Sequence, residues 1–489
     1  MSTRRIALTN IVFLILVAMT LSALAFAGDK KSAPAAAAPA KAAAPAKPAA
    51  QQQRQAAPQQ QRQQPQQQQN HPGQPPVRPG QQTPRQTPPA AGPRGYASRP
   101  GDQAKVIAGG RNEIHSANGQ TITTNAHGQV QRIEAPRGLA GGNKIVINRT
   151  PNGARMVQTG RPGARVVSFG PGRGFVERPL RPGYISRTYV VGGRSYARVY
   201  REYSYHGVSY YHYVPGVYYG SQFYGWAATP WGAPMPYAWA GLATPAPWLG
   251  FYPGYFTPYA TYASPDLWLT DYLIGQNLKL AYENQLASNA DQPAPSNVAP
   301  ADSGLTPEVK ALIENEIRQQ IADEKAAAVA KSSPANGKQA APVNDQAPPA
   351  LRQKFFVVST NLDLTTTNGQ ACSLTPGDMI QRRGSDVAAD GGIAVEVIKS
   401  KSGACPADTA ATVQLADLQE MSNQFREQLD SGLAILAANQ ARGLPSGPAS
   451  GSHVVTEGTA DPVPDAGTQL ATQESDAGKL EAQVRQGGN

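Results

Sequence analysis

The 489-residue chain is poor in cysteine: Cys372 and Cys405 are its only two. That excludes a disulfide-dense scaffold. With no C-x-x-C and the two far apart in sequence, a redox-active pair is the weaker reading. The pair is expected to close one structural disulfide, and a loop of about 33 residues closed in this way stabilises by roughly 3 to 4 kcal/mol. Histidine is scarce as well, six in all, and only His206 and His212 stand near one another. Two imidazoles on neighbouring strands fall short of a metal site without a third ligand. No G-x-S-x-G elbow, phosphate-binding loop or H-E-x-x-H helix occurs. "GPGRG" at 170–174 lacks the Lys-Ser/Thr ending that meets phosphate and magnesium, so it reads as a β-turn. Asp102, Glu113, Glu134, Glu177 and Glu202 are scattered singly, so paired carboxylates for acid–base work are missing from that region. The sequence points away from an enzyme and calls for no cofactor and no metal.

Apolar runs of spanning length are absent beyond the N-terminus, so no transmembrane helix is expected in the mature chain. At the N-terminus itself, Arg4 and Arg5 precede "IVFLILVAMTLSALAFA", which ends on the small residues Ala25 and Ala27. A basic start, an apolar core and an A-x-A ending make residues 1–27 a secretory signal peptide, cleaved after Ala27. The plainer alternative is an uncleaved anchor. No Cys follows the run, which excludes lipid attachment at a lipobox. The expected location is the periplasm, the cell surface or the extracellular space.

Residues 28–103, Ala/Pro/Lys-rich and then Gln/Pro-rich, read as a disordered linker. Over 104–215, short Val/Ile/Thr/Tyr/Arg runs alternate with glycine turns such as "NGQTITT", "PGARVVS" and "GGRSYAR". Asn-Gly at 118–119 and 152–153 and Gly-Gly at 192–193 suit primed hairpin turns, so a long antiparallel hairpin meander is expected. Within "GQTITTNAHGQVQRIEAPRG" the pattern resembles the YD-type β-hairpin repeats of secreted bacterial proteins, without their Tyr-Asp signature. The resemblance implies a repetitive β scaffold and no chemistry.

From Tyr203 to Pro265 there is no Asp, Glu, Lys or Arg, yet thirteen of the twenty tyrosines and four of the five tryptophans fall there. Frequent proline rules out a helix interior or central strand, and irregular backbone rules out a membrane insert. Tyr218, Tyr219, Trp226, Trp231 and Trp239 could stack on sugar rings. The preferred reading is internal: the tract, placed at 216–290, covers a helix at 265–288 that has apolar residues on more than one face. A self-associating disordered segment is the third possibility. Ser264, Pro265 and Asp266 start that helix, and Thr306 with Pro307 starts another at 306–331 inside a linker at 291–350.

Residues 351–440 read as a small domain of four or five strands closed by the disulfide, with a C-terminal helix. Leu418, Met421, Phe425, Leu429, Leu433 and Leu436 make that helix's apolar stripe. The strands, "FFVVSTNLDLTT", "GDMIQRR", "GGIAVEVIKSK" and "ATVQL", look similar to small SH3-like barrels of bacterial envelope proteins. Residues 441–489, rich in Pro, Gly, Ser and acids, read as a disordered tail.

The charge is uneven. Arg94 to Glu202 holds eighteen Lys plus Arg against five acids, whereas the whole chain carries +11. One reading is attraction to an anionic polysaccharide, lipopolysaccharide or cell-wall polymer through Arg155, Arg165, Arg187, Arg194 and Arg198. The other is that arginine solvates the hairpins and guards their edges. Export argues against a specific nucleic-acid partner. The helices at 306–331 and 416–440 offer stripes for self-association. The expected fold is mainly β with some α: a hairpin meander and a small disulfide-closed β domain, joined by long disordered linkers. The expected role is structural or interaction work at the envelope, with anionic-glycan binding as the alternative and an unrecognised hydrolase behind both.

Overall fold

The computed structural model describes residues 96, 99–107, 111–136, 144–149, 155–235, 247–288, 304–332, 347–401, 405–440 and 454–486. The signal segment with Ala27, the Asn-Gly pair at 152–153 and Trp239 lie outside them. The alternating runs become eleven strands: β1 (Gln103–Ile107), β2 (Arg111–His115), β3 (Thr121–Thr124), β4 (Val130–Ala135), β5 (Ile145–Arg149), β6 (Arg155–Arg161), β7 (Ala164–Gly170), β8 (Arg173–Arg181), β9 (Tyr184–Val191), β10 (Arg194–Tyr205) and β11 (Val208–Val214). They form one sheet in strict sequence order, every pair antiparallel. The Gly-Gly turn works as its sequence implies: Gly192 and Gly193 take φ of 58° and 77°, which a side chain would resist.

Register explains the core. Ile114 pairs with Ile122, Ile122 with Ile133, Ile133 with Ile147, and Ile147 with Val157, a buried row on one face. Because side chains alternate across a strand, the opposite face over β2 to β5 carries Glu113, Thr123, Arg132 and Asn148.

The aromatic tract contains β12 (Val217–Tyr218), α1 (Ser221–Ala227) and α2 (Pro247–Phe251), and leads into α3 (Pro265–Ser288). With α4 (Pro307–Ser332) and α5 (Leu415–Asn439) it builds the largest core, in which Tyr224, Tyr255, Trp268, Leu269, Leu273 and Ile317 are almost wholly buried. Six further strands follow: β13 (Phe355–Val357), β14 (Leu362–Thr366), β15 (Ala371–Leu374), β16 (Met379–Val387), β17 (Gly392–Lys399) and β18 (Ala410–Gln414). Their spatial order is β13-β16-β17-β18-β14-β15, and Cys372 and Cys405 form a disulfide.

The small sheet does not stand apart. Tyr210 of β11 lies in its core beside Phe356, Leu364 and Leu418, and residues 86–489 cluster as one compact unit. The helix α5 is the hinge of the packing. Leu418 and Met421 meet the small sheet, whereas Phe425, Leu429, Leu433 and Leu436 meet the aromatic core. The stripes of α4 and α5 therefore face inward, which takes away the self-association surfaces expected of them.

The tail expected to be disordered at 441–489 contains β19 (Val454–Val455), paired with β12, and α6 (Ala466–Gln486). Ala477, Leu480 and Val484 of α6 cover the isoleucine row, while Ala466 and Leu470 cover Val176 and Val190. Composition misled here because Ala, Gly and Gln dilute a stripe that is nonetheless spaced by three and four.

Candidate functional site

Two places on the large sheet gather the chemistry: a buried layer of arginine, tyrosine and carboxylate under α5 and α6, and an open cleft at one end of the strands.

In the buried layer, Glu177 of β8 and Arg187 of β9 are register partners with 0% and 1% side-chain exposure. The Arg187 Nε donates to Glu177 at 2.6 Å, and its two terminal nitrogens donate to Glu420 of α5 at 2.5 and 3.0 Å. Its guanidinium also lies over the Tyr200 ring, 4.1 Å from the centroid. Burial works against the charge, but Glu420 and Glu177 outweigh it and hold Arg187 well above its usual range. Arg165 reaches the same Glu177 at 3.3 Å. Arg198 donates to Ser431 at 3.1 Å and Arg155 to Glu481 at 3.1 Å, with Glu474 as a second partner of Arg155. Four of the five arginines predicted to meet a polyanion are thus engaged with the C-terminal helices or with Glu177. Arg194, beside the Gly-Gly turn, is exposed.

The acids that hold these arginines were missed by the sequence reading. The signal was present: Glu420, Asn423, Glu427 and Asp430 recur every three or four residues, a polar face beside the leucine stripe. Glu427 accepts from the Tyr200 hydroxyl, and burial pushes its carboxyl up to about 7. Asp430 accepts from Tyr213 at 2.7 Å, and burial raises both Asp430 and its buried neighbour Glu324 of α4.

The aromatic residues are internal too. Tyr218 and Trp231 are buried, Tyr219 and Trp226 are partly buried, and Trp226 and Trp231 lie 6.3 Å apart within one cluster. Within this core Lys310 of α4 meets Asp271 of α3 at 2.7 Å under the Tyr259 ring. The two histidines do not converge. His206 sits in the β10–β11 turn stacked on Tyr205, whereas His212 pairs with Arg201 in the sheet. Burial and then Arg426, Arg352 and Arg201 hold His212 well below its usual range, hence neutral. Among the described residues no group of three metal-ligating side chains occurs, and no helix is long and apolar enough to cross a membrane.

The cleft has a volume of about 490 Å³. Its base is two identical turns, Arg161-Pro162-Gly163 between β6 and β7 and Arg181-Pro182-Gly183 between β8 and β9. Gly163 and Gly183 take φ of 84° and 75°. The far wall is the β10–β11 hairpin. Pairing of β9 with β10 ends at Tyr184 and Arg201, and beyond it Glu202 and Tyr211 face each other and line the cleft. The turns are fixed from below: the Gly163 amide donates to buried Glu177 at 2.5 Å, and the Glu202 amide donates to Gly183 at 2.8 Å. Arg181 lies over the Tyr184 ring at 4.0 Å and donates to the Glu457 carbonyl at 2.6 Å. No family model, no curated protein and no solved structure matches the chain.

Proposed function

We propose that the protein is an exported, non-enzymatic structural and interaction protein of a bacterial envelope. The observation that carries this reading is how its charge is used: Arg155, Arg165 and Arg187 pair with Glu474, Glu481, Glu177 and Glu420, locking helices onto a broad sheet. Such wiring serves a rigid scaffold. Export is supported by the N-terminal signal pattern, and the Cys372–Cys405 disulfide suits an oxidising compartment. An SH3-like character for the small sheet belongs to the same proposal, and its support is the run of short strands in the sequence. Cell fractionation followed by salt and carbonate washes of the envelope tests the proposal. Recovery in the envelope or periplasm, beginning at Gly28 and with both cysteines oxidised, is the expected result. Recovery in the cytosol with reduced cysteines would overturn it.

The cleft favours a second reading, attachment to an anionic wall polymer or polysaccharide. In this reading the arginines that matter are at the turns, away from the buried row.

A further inference from the structure

We infer that the cleft between the two Arg-Pro-Gly turns and the β10–β11 overhang is a binding site for a glycan chain bearing carboxylates. This inference rests on the second reading above and gives it a site and a ligand class. The duplication comes first. Arg161 and Arg181 open identical tripeptide turns at the same end of the sheet, two strand spacings apart, roughly 10 Å. That places a cation at each of two neighbouring tips, suited to successive acidic groups along a polymer. Arg161 is exposed and has no ion-pair partner among the described residues, unlike Arg155, Arg165 and Arg187 deeper in the sheet.

The remaining lining suits sugar rather than a bare anion. Glu202 offers a carboxylate to accept from hydroxyls, and the Tyr211 phenol lies beside it on the overhang. Pro162, Pro182 and Leu180, the last 39% exposed, present apolar surface to the C–H faces of a pyranose. Glu202 would repel an acidic group placed beside it, so the ligand's carboxylates belong at Arg161 and Arg181 and its hydroxyls at Glu202. The site is also preformed. A Cβ on Gly163 would sit 2.7 Å from the Tyr211 hydroxyl, and hydrogen bonds from the Gly163 amide to Glu177 and from the Glu202 amide to the Gly183 carbonyl hold both turns, so little ordering is needed on binding.

The test is titration of the full mature chain with tetragalacturonate, with cellotetraose as the neutral analogue and tetraglutamate as an acidic peptide. Arg161→Glu is at an exposed tip, and circular dichroism checks its fold. Arg194→Glu at the opposite end of the strands is the control. The expected result is binding of tetragalacturonate, at least tenfold weaker binding of the other two probes, and about a tenfold loss in Arg161→Glu with none in Arg194→Glu. Glu202→Gln should lose affinity without losing the preference for acid. Equal binding of tetraglutamate, or no binding at all, overturns the proposal. Salt-sensitive binding that falls in Arg194→Glu and not in Arg161→Glu also overturns it, while leaving anionic-glycan attachment standing at another surface.

Discussion

Asn423 of α5 acts as the missing neighbour of Tyr213 on the outer strand β11. Its side-chain oxygen accepts from the Tyr213 amide at 3.0 Å and its nitrogen donates to the Tyr211 carbonyl at 2.7 Å, as a paired strand residue would. Arg426 donates to the Tyr213 carbonyl at 3.1 Å. An open edge invites pairing with other chains, and this one is closed by a helix. At the other edge, β1 is left largely exposed, with Lys105 at its centre as the charged guard.

Asn423→Leu should therefore do more harm than its size suggests. Two backbone groups lose their partners, and at about 1 to 3 kcal/mol for each orphaned buried group the stability should fall by roughly 2 to 6 kcal/mol. Urea unfolding measures the loss. A variant within 0.5 kcal/mol of the parent, about the size of a surface substitution, would show that water or a shift of α5 satisfies the edge.

Arg187 should behave as a structural residue. Arg187→Ala leaves Glu177 buried without its main cation, and breaking a buried pair from one side costs about 3 to 5 kcal/mol. Arg194→Glu, at an exposed turn, should change stability by less than about 0.5 kcal/mol. Comparing the two melting curves decides the matter. Charge reversal at Arg155, Arg165 and Arg187 consequently tests folding and not polyanion binding.

How much of this was legible can be judged from particular residues. The meander was, because isoleucine alternation and glycine turns act within a few residues of one another. The starts of α3 at Pro265 and α4 at Pro307 were legible for the same local reason. The disulfide followed from there being only two cysteines. The arginine layer was not, since Arg187 and Glu420 are 233 residues apart and nothing local marks an arginine as buried. The cleft was equally hidden: it depends on β10 running past the end of β9, a difference in strand length fixed only by register.

Stability should fall as pH rises from about 6.5 to 8. Burial raises the Glu427 carboxyl to about 7 from an ordinary 4.5, so its contribution is fully present below 4.5 and is lost as pH climbs through 7. Glu324 and Asp430 are raised by burial and act in the same direction. His212 opposes them only below its ordinary 6.5, where protonation would charge a buried ring. Glu427→Gln keeps an acceptor for Tyr200 and removes one titration, so its melting temperature should decline less over this range. An unchanged slope would show that Glu427 is already ionised at pH 6.5.

Reduction of the Cys372–Cys405 disulfide should lower stability by roughly 3 to 4 kcal/mol, the loop-closure value for about 33 residues. A melting curve with and without reductant measures it. The loss should be exceeded by Cys372→Ser with Cys405→Ser, because Cys405 is buried in the small sheet's core and serine puts a hydroxyl there.

Truncation before Val454 should loosen the large sheet rather than trim an inert end. It removes Ala477, Leu480 and Val484 from above Ile122, Ile133 and Ile147, each now at most 2% exposed, and leaves that row open to water. At roughly 1.5 to 3 kcal/mol for each large aliphatic side chain re-exposed, the loss approaches the whole stability of an ordinary domain. It also strands Arg149 and Arg155 without Glu481. The sheet is closely fitted both within itself and against this helix: a Cβ at Gly174 would lie 2.2 Å from the Val167 carbonyl and 2.7 Å from Leu470. The truncated chain should bind a hydrophobic dye, lose amide protection over β2 to β6 and associate. Gly174→Ala should lower the melting temperature of the full chain, because the added Cβ meets the backbone of the neighbouring strand at Val167 and Ser168 as well as Leu470 of α6. If the truncated chain keeps its protection pattern and stays monomeric, the isoleucine row finds another cover and α6 is dispensable.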